Sequence, residues 1–335
     1  MADRFLEILV PAASRAAVDE VLAEAKPTWE WHHLSEGLAI YRCLVPAERV
    51  EALLDPLQSR FAGVEEFRAV VMRVEAALPR QPEPAPEEKA AEPAAPSPAR
   101  VAREELYANL SDQAKLTPVF YATVVLSTIV AAIGLGRDNA AVVIGAMVIA
   151  PLLGPNMALA LATTLGDLEL ARRALKANGA GVGLAFAVAL LLGWLPFVDI
   201  DSAELVARTE IDVSDILLGL AAGAAGALAF TSGVSAALVG VMVAVALLPP
   251  LVTFAIFLVR GDANALAALL LLAVNVICVN LAGVGVFLAQ GIRPRTWWEA
   301  ARSERRARRA LALWLVMLAI AGGLIWLAEL TAAGA

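Results

Sequence analysis

Hydrophobic and polar positions divide this chain at about residue 117. Before that point the apolar residues occur in short amphipathic runs, and after it they form long continuous blocks. Five stretches contain no charged residue: 139–166, 177–198, 216–259, 263–292 and 310–328. About 18 mostly apolar residues are enough for a helix to cross a bilayer. The pattern therefore predicts a polytopic α-helical membrane protein with a soluble N-terminal domain.

The N-terminal domain, residues 1–78, is predicted to alternate strands with helices. The predicted strands cover residues 5–10, 29–34, 38–45 and 67–74, and the predicted helices cover residues 14–25 and 46–61. This βαββαβ order predicts a ferredoxin-like α+β fold. Because such a fold serves many functions, a regulatory or ligand-sensing domain and an assembly domain both remain open.

A linker and a polar helix follow this domain. Residues 79–100 contain seven prolines among Glu and Ala, which predicts an extended tether. Residues 101–117 are predicted to form a polar helix, either at the cytoplasmic membrane surface or as an ordinary surface helix.

Seven membrane crossings are predicted from the apolar blocks. They cover approximately residues 118–136, 139–165, 177–198, 215–232, 234–259, 264–290 and 310–328.

The charges of the connecting loops predict the orientation. Loops 166–176 and 291–309 are rich in Arg and Lys, whereas loop 199–214 is acidic. The positive-inside rule places the basic loops in the cytoplasm. We therefore expect a multi-pass protein of the cytoplasmic (inner) membrane, with its N-terminus in the cytoplasm and its C-terminus outside. Residues 1–117 carry the whole net charge of −7, and the Arg-rich loop 291–309 is expected to meet anionic lipid headgroups, not nucleic acid.

An internal repeat becomes visible when the sequence is shifted by 95 residues. The shift matches Met147 with Met242, Pro155 with Pro250, and Gly166-Asp167 with Gly261-Asp262. Seven further residues align the segment beginning at Asn178 with the one beginning at Asn280. Residues 118–198 and 215–290 are thus predicted as two three-helix repeats of opposite orientation, a plan that is common in secondary transporters. The last span, 310–328, lies outside this 3+3 inverted repeat.

Prolines are predicted to break the second helix of each repeat. The first break contains Pro151, Gly154, Pro155 and Asn156, and the second contains Pro249-Pro250. A proline removes a backbone donor, and a broken helix at membrane depth is tolerated when it is buried in protein or lines water. These residues are therefore candidates for a substrate or ion pathway, with plain proline kinks as the alternative.

The predicted span cores contain no Asp, Glu, Lys, Arg or His, so their polar residues are neutral. Asn275 and Asn280 are predicted either to line the pathway or to join helices by hydrogen bonds. Asp167 and Asp262 occupy matched span ends, as gates or helix caps.

Small residues dominate the fourth span. Gly219, Gly223 and Gly226 allow close helix packing, at the interface of the repeats or in a dimer seam.

The residues that usually carry catalysis or bind metals do not form a site in this sequence. His32 and His33 are the only histidines, and their side chains would point to opposite faces of a strand. Cys43 and Cys278 lack metal-ligand or disulfide spacing and are expected to be buried. We therefore predict no enzyme activity, catalytic residue, metal or cofactor.

Three strings of this sequence resemble the prokaryotic membrane family called domain-of-unknown-function family 389. They are REELY at residues 103–107, VIGAMVIAPLLGP at 143–155 and GVMVAVALLPP at 240–250, and the resemblance extends over about residues 100–293. The resemblance implies the membrane class and supplies no substrate.

The expected function is that of a transporter or channel-like permease for a small solute or ion, regulated by the cytoplasmic domain. The alternative is a membrane-anchored sensor or scaffold whose bundle mediates oligomerisation without transport. Membrane lipids and further copies of the chain, in a homo-oligomer, are the expected partners.

Overall fold

The computed structural model describes residues 3–25, 27–35, 37–74, 101–196, 198–232, 247–293 and 297–333. The chain divides into two compact units, Met1–Leu106 and Tyr107–Ala335. The proline-rich residues 79–100 lie outside the described residues, as does the first part of the predicted span 234–259.

The N-terminal unit contains a four-stranded antiparallel sheet with the strand order β2-β3-β1-β4. Its elements are β1 (Asp3–Pro11), α1 (Arg15–Ala25), β2 (Trp29–Ser35), β3 (Leu38–Pro46), α2 (Val50–Arg60) and β4 (Arg68–Arg73). The βαββαβ order predicted from the sequence is observed. Gly37 forms the β2–β3 turn at φ +85°, a left-handed conformation that glycine adopts without strain.

Alternate residues of the central strands form the core of this unit. Leu6 and Ile8 of β1 and Cys43 of β3 are fully buried beneath α1 and α2. Burial raises the pKa of the Cys43 thiol to about 11, so this side chain is a neutral core residue, as expected. The odd-numbered residues of β1 point to the opposite face of the sheet.

The second unit is helical. Helix α3 (Arg103–Gln113) crosses the boundary between the units. The remaining helices are α4 (Pro118–Gly136), α5 (Ala140–Ile149), α6 (Leu153–Leu165), α7 (Leu168–Gly193), α8 (Ala203–Val206), α9 (Val213–Ser232), α10 (Leu248–Arg260), α11 (Ala265–Ala289) and α12 (Trp297–Ala333).

Several of these helices are long and apolar enough to cross a membrane. They are α4, α7, α9, α11 and the part Arg305–Ile325 of α12. The bent pair α5 and α6 makes a sixth candidate if it is one span, whereas α10 has only 13 residues. These helices identify the chain as a membrane protein. The count of seven crossings and the orientation stay predictions.

Two of the predicted loops are largely helical. Helix α7 begins at Leu168, so most of the predicted loop 166–176 forms its first turns. The reason is that Leu170, Ala174 and Ala177 are buried along one side of the helix although charged residues lie between them. Likewise, α12 includes the later part of the Arg-rich segment 291–309.

Helices α6 and α10 correspond to each other residue by residue under the 95-residue shift. Both have 13 residues, and both end at a glycine of positive φ, Gly166 at +66° and Gly261 at +73°. The next backbone N–H, from Asp167 or Asp262, donates to Ala162 or Phe257, again 95 residues apart, at 2.9 Å. Both helices also pack against α7 and α11. The two segments thus share their local structure, and the inversion of the repeats stays a prediction.

Candidate functional site

The break between α5 and α6 bends the helix axis by 55°. Ala150 takes an extended conformation with ψ 122°, which is the conformation that a residue before a proline prefers. Pro155 lies in the first turn of α6, where a missing N–H removes no helical hydrogen bond. Pro151 therefore ends one helix and Pro155 fits the start of the next, as the sequence predicted for the first break.

Three asparagines form a hydrogen-bonded chain at this break. Asn156 of α6 donates from Nδ2 to Oδ1 of Asn178 on α7 at 2.9 Å. Asn280 of α11 donates from Nδ2 to Oδ1 of Asn156, also at 2.9 Å. We call these residues the asparagine chain. It connects one helix of the second predicted repeat to two helices of the first.

The two central amides are anchored to their own helices. Asn156 also donates to the carbonyl oxygen of Leu152 at 2.8 Å, and Asn280 donates to that of Val276 at 2.9 Å. Asn156 is 4% exposed and Asn280 is fully buried. Each amide therefore uses one hydrogen locally and one across helices, which holds its orientation.

Both ends of the asparagine chain carry a buried polar atom without a partner among the described residues. These atoms are Nδ2 of Asn178, a donor, and Oδ1 of Asn280, an acceptor. Leaving such an atom unpaired costs about 1–3 kcal/mol. The chain thus offers a donor at one end and an acceptor at the other to a ligand or to water.

The three asparagines of the asparagine chain come from stretches of the sequence without charged residues. The four stretches 139–166, 177–198, 216–259 and 263–292 contain no ionisable side chain other than Cys278. Within the described residues no group of three or more His, Cys, Asp or Glu is arranged to hold a metal ion. The polar groups at the asparagine chain are therefore neutral amides and backbone groups.

The structure does not bring every predicted pathway residue to the asparagine chain. Asn275 is buried on α11 against α9, where its Oδ1 would lie 3.3 Å from a Cβ atom on Gly219. Pro249 and Pro250 are buried in the first turn of α10. Because residues 233–246 lie outside the described part, the second predicted break is visible only from its later side.

A further buried polar atom lies on α10. The Thr253 hydroxyl, one turn after Pro249, has no hydrogen-bond partner among the residues that the structure describes.

Asp167 and Asp262 both bind backbone N–H groups. Oδ1 of Asp167 accepts from the N–H groups of Glu169 and Leu170 at 2.8 and 3.0 Å and caps α7. Oδ1 of Asp262 accepts from the N–H of Asn264 at 2.8 Å, just before α11. The capping alternative is therefore visible at Asp167, while a gating role for either residue stays a prediction.

Asp167 also binds Tyr107 of α3. The tyrosine hydroxyl donates to Oδ2 of Asp167 at 2.8 Å. Burial and this hydrogen bond raise the pKa of Tyr107 to about 12. The last residue of the REELY string is thus tied to the cap at the start of α7.

Gly154 allows the end of α3 to reach the broken helix. A Cβ atom on Gly154 would lie 2.7 Å from Cβ of Gln113, much closer than a carbon–carbon contact allows. The C-terminal half of α3 therefore contacts both ends of the α6 region, through Gln113 at Gly154 and through Tyr107 at Asp167.

The small residues of the fourth span pack inside the chain. A Cβ atom on Gly219 would lie 2.8 Å from Cβ of Cys278, and one on Gly223 would lie 2.7 Å from Cα of Val279. Gly226 is buried on the same helix. Gly219 and Gly223 bring α9 against α11, and both helices belong to the second predicted repeat.

Sequence reasoning missed Asn178 as a site residue. The repeat alignment pairs it with Asn280, so the two matched asparagines converge on Asn156. That pairing was the available signal. Asn178 was not chosen as a candidate because it lies beside Lys176, at the start of a predicted span.

Comparison with known proteins gives a consistent family. The model of the domain of unknown function DUF389 matches residues 147–281, which include Asn156, Asn178 and Asn280. A protein of Methanocaldococcus jannaschii, named as an uncharacterized protein, is 32% identical over 315 residues, covering 94% of this chain and 96% of that protein. No solved structure matches the chain. By this match over nearly its whole length, the chain belongs to the DUF389 family.

Proposed function

We propose that this protein is a membrane permease for a small solute or ion, with the asparagine chain as the polar element of its pathway. The observation that carries the proposal is that two buried atoms, Nδ2 of Asn178 and Oδ1 of Asn280, have no hydrogen-bond partner in the described part of the chain. Polar residues that served helix association alone would gain about 1–3 kcal/mol for each such atom by pairing it inside the bundle. A passing solute or water can make these missing hydrogen bonds.

The position of the asparagine chain supports the same function. It joins α6 and α7 of the first predicted repeat to α11 of the second. In transporters built from inverted repeats, the binding site lies between the repeats and is formed by discontinuous helices. The break around Pro151 gives a discontinuous helix, and the packing of α10 against α7 and α11 supports a corresponding role for α10.

In this proposal the N-terminal domain regulates the pathway through α3. The helix is continuous from the N-terminal unit into the helical unit. Its residues Tyr107 and Gln113 contact Asp167 and Gly154, at either side of α6. A displacement of α3 would therefore change the packing of the helix that carries Asn156.

A second candidate function is a membrane sensor or scaffold. It is favoured by the exposed apolar side chains of the N-terminal sheet, such as Trp29 and Trp31, which are 46% and 43% exposed. In that case the asparagine chain would only position helices, and no solute would pass. A flux measurement separates the two functions.

The full chain reconstituted in liposomes is the test of permease function. Osmotic steps with a series of neutral solutes, followed by light scattering, and gradients of K⁺, Na⁺ and Cl⁻, followed by a potential-sensitive dye, define what passes. We expect the protein to accelerate at least one flux above that of empty liposomes. Folded protein that accelerates none of them would contradict the proposal.

Asn156→Leu is the matched variant for the site, because leucine already occupies the corresponding position 251 of the second repeat. We expect it to lower the flux about tenfold, equivalent to about 1.4 kcal/mol, which is the scale of one hydrogen bond. Asn264→Leu, at an exposed position before α11, is the control and should leave the flux unchanged. Equal fluxes in both variants would show that the asparagine chain is not part of the pathway.

A further inference from the structure

The N-terminal sheet exposes an apolar face on the side away from α1 and α2. The strand register aligns Trp29, Leu44, Phe5 and Met72 in one row across all four strands. The outer members of this row, Trp29 and Met72, are 46% and 43% exposed. We call this side of the sheet the open face.

The second row of the open face contains its central charges. Trp31, Arg42, Glu7 and Val70 align across the sheet. Nε of Arg42 lies 2.6 Å from Oε2 of Glu7, and the guanidinium carbon lies 5.4 Å from the centre of the Trp31 ring. The centre of the face is therefore a neutral ion pair between exposed apolar edges.

The third row, His33, Ile40, Leu9 and Arg68, adds one further full charge. An anionic membrane surface attracts a protein face in proportion to the number of basic residues that the face carries. Because Arg42 already pairs with Glu7, Arg68 is the one remaining arginine of the three rows. The composition thus fits an apolar protein surface better than a lipid headgroup layer.

The size of the open face indicates what it binds. With strands about 4.8 Å apart and a rise of about 3.3 Å per residue, four strands of this length cover about 19 by 25 Å, roughly 480 Å². Two such faces bury about 950 Å² together, about a fifth less than the ~1,200 Å² at which stable complexes begin. A contact of this size can form a complex when the two partners are already held close together.

We propose that the open face binds the open face of a second copy of this chain. The membrane spans confine two copies to one bilayer with their N-terminal units on the same side, which raises their effective concentration. In such a two-fold contact the apolar rows of one copy meet those of the other, and Glu7 of each copy can reach Arg42 of the other. Gly219 and Gly223 already pack against α11 of the same chain, so they are not available for a contact between two copies.

A charge exchange tests the contact without depending on loss of folding. One batch of full chain carries Glu7→Arg and a second carries Arg42→Glu, each labelled with a different dye and reconstituted together in liposomes. Two copies of the same variant, a like pair, would bring charges of one sign together across the proposed contact. One copy of each variant, a mixed pair, would bring opposite charges together. Like charges in contact strongly disfavour association. We expect mixed pairs to outnumber like pairs by about tenfold or more, and random mixing would overturn the proposal.

A second pair of variants controls for general effects on the domain. Val70→Glu places a carboxylate on the open face, and Leu34→Glu places one on the opposite side of β2, at positions 44% and 48% exposed. Counting photobleaching steps of single labelled chains at low density gives the fraction of pairs. Val70→Glu should weaken pairing about tenfold and Leu34→Glu should not. A wild-type chain that bleaches in single steps at every density, or equal effects of both variants, would contradict the contact.

Discussion

Nδ2 of Asn280 donates a hydrogen bond of 2.9 Å to Oδ1 of Asn156, a residue 124 positions earlier in the chain. The bond joins α11 to the first turn of α6, immediately after the helix break. Since Asn156 also binds Asn178, its amide is the centre of a polar connection between helices of the two predicted repeats. The helix break and the inter-repeat contact thus coincide at one residue.

The first prediction concerns the coupling of Asn156 and Asn280. Replacing either residue by leucine removes their hydrogen bond and leaves a buried partner unpaired, which we expect to lower the free energy of unfolding by about 1–3 kcal/mol. Replacing both should cost less than the sum of the single effects. A double-mutant cycle from urea unfolding in detergent measures the difference, expected at about 0.5–3 kcal/mol. Strict additivity would show that the bond is not made.

The second prediction concerns the close contact at the helix break. Gly154→Ala inserts a methyl group 2.7 Å from Cβ of Gln113, so α3 and α6 must separate. Overpacking of this kind costs about 1–3 kcal/mol. Gly145→Ala, in the neighbouring α5 with no atom within 4 Å, is the control and should not destabilise the protein. Thermal unfolding of both variants decides the point, and equal melting temperatures would argue against the packing of α3 on α6.

The third prediction concerns the contact between α9 and α11. Gly223→Ala places a methyl group 2.7 Å from Cα and 2.8 Å from the carbonyl oxygen of Val279, which are backbone atoms that cannot rotate away. We expect a loss of about 1–3 kcal/mol in unfolding free energy. Gly285→Ala, on α11 with open space around it, should be neutral. If Gly223→Ala is neutral as well, the two helices do not pack through this glycine.

The fourth prediction is a pH dependence at Tyr107. Its pKa is raised from 10.0 to about 12, so the folded state holds the phenolic proton more tightly than the unfolded state. The stability gained in this way is complete below pH 10 and is lost as the pH rises towards 12. Tyr107→Phe removes it. The difference in stability between wild type and variant should therefore shrink between pH 10 and 12, and a difference that is constant over this range would contradict the contact with Asp167.

Local sequence patterns predicted the elements of the N-terminal domain well. Burial alternates along β1 and β3, as in Leu6, Ile8 and Val10 of β1, and the βαββαβ order is observed. The break at Pro151 was equally predictable, because a proline restricts the residue before it whatever the surroundings.

Features that depend on tertiary contacts were not predictable. The apolar block placed the start of the third span near residue 177, but the helix begins at Leu168, since its first turns bury Leu170 and Ala174 against other helices. Similarly, the sequence identified Asn280 as a candidate but not its hydrogen-bond partner Asn156. It also did not show that Gly219 and Gly223 pack against α11. Such pairings arise between distant residues and leave no local signal.

The central claim is that Asn156 lies on a water-accessible path, and the reactivity of a cysteine at this position tests it most directly. In a background with Cys43→Ala and Cys278→Ala, the full chain with Asn156→Cys is treated in liposomes with a small, charged, membrane-impermeant thiol reagent. Asn264→Cys, at an exposed position between helices, and Leu126→Cys, on the apolar surface of α4, serve as the reactive and unreactive controls. We predict that Asn156→Cys reacts and that its modification slows the flux. A cysteine at 156 as inert as the one at 126 would contradict the pathway and leave the break at Pro151 as a structural kink.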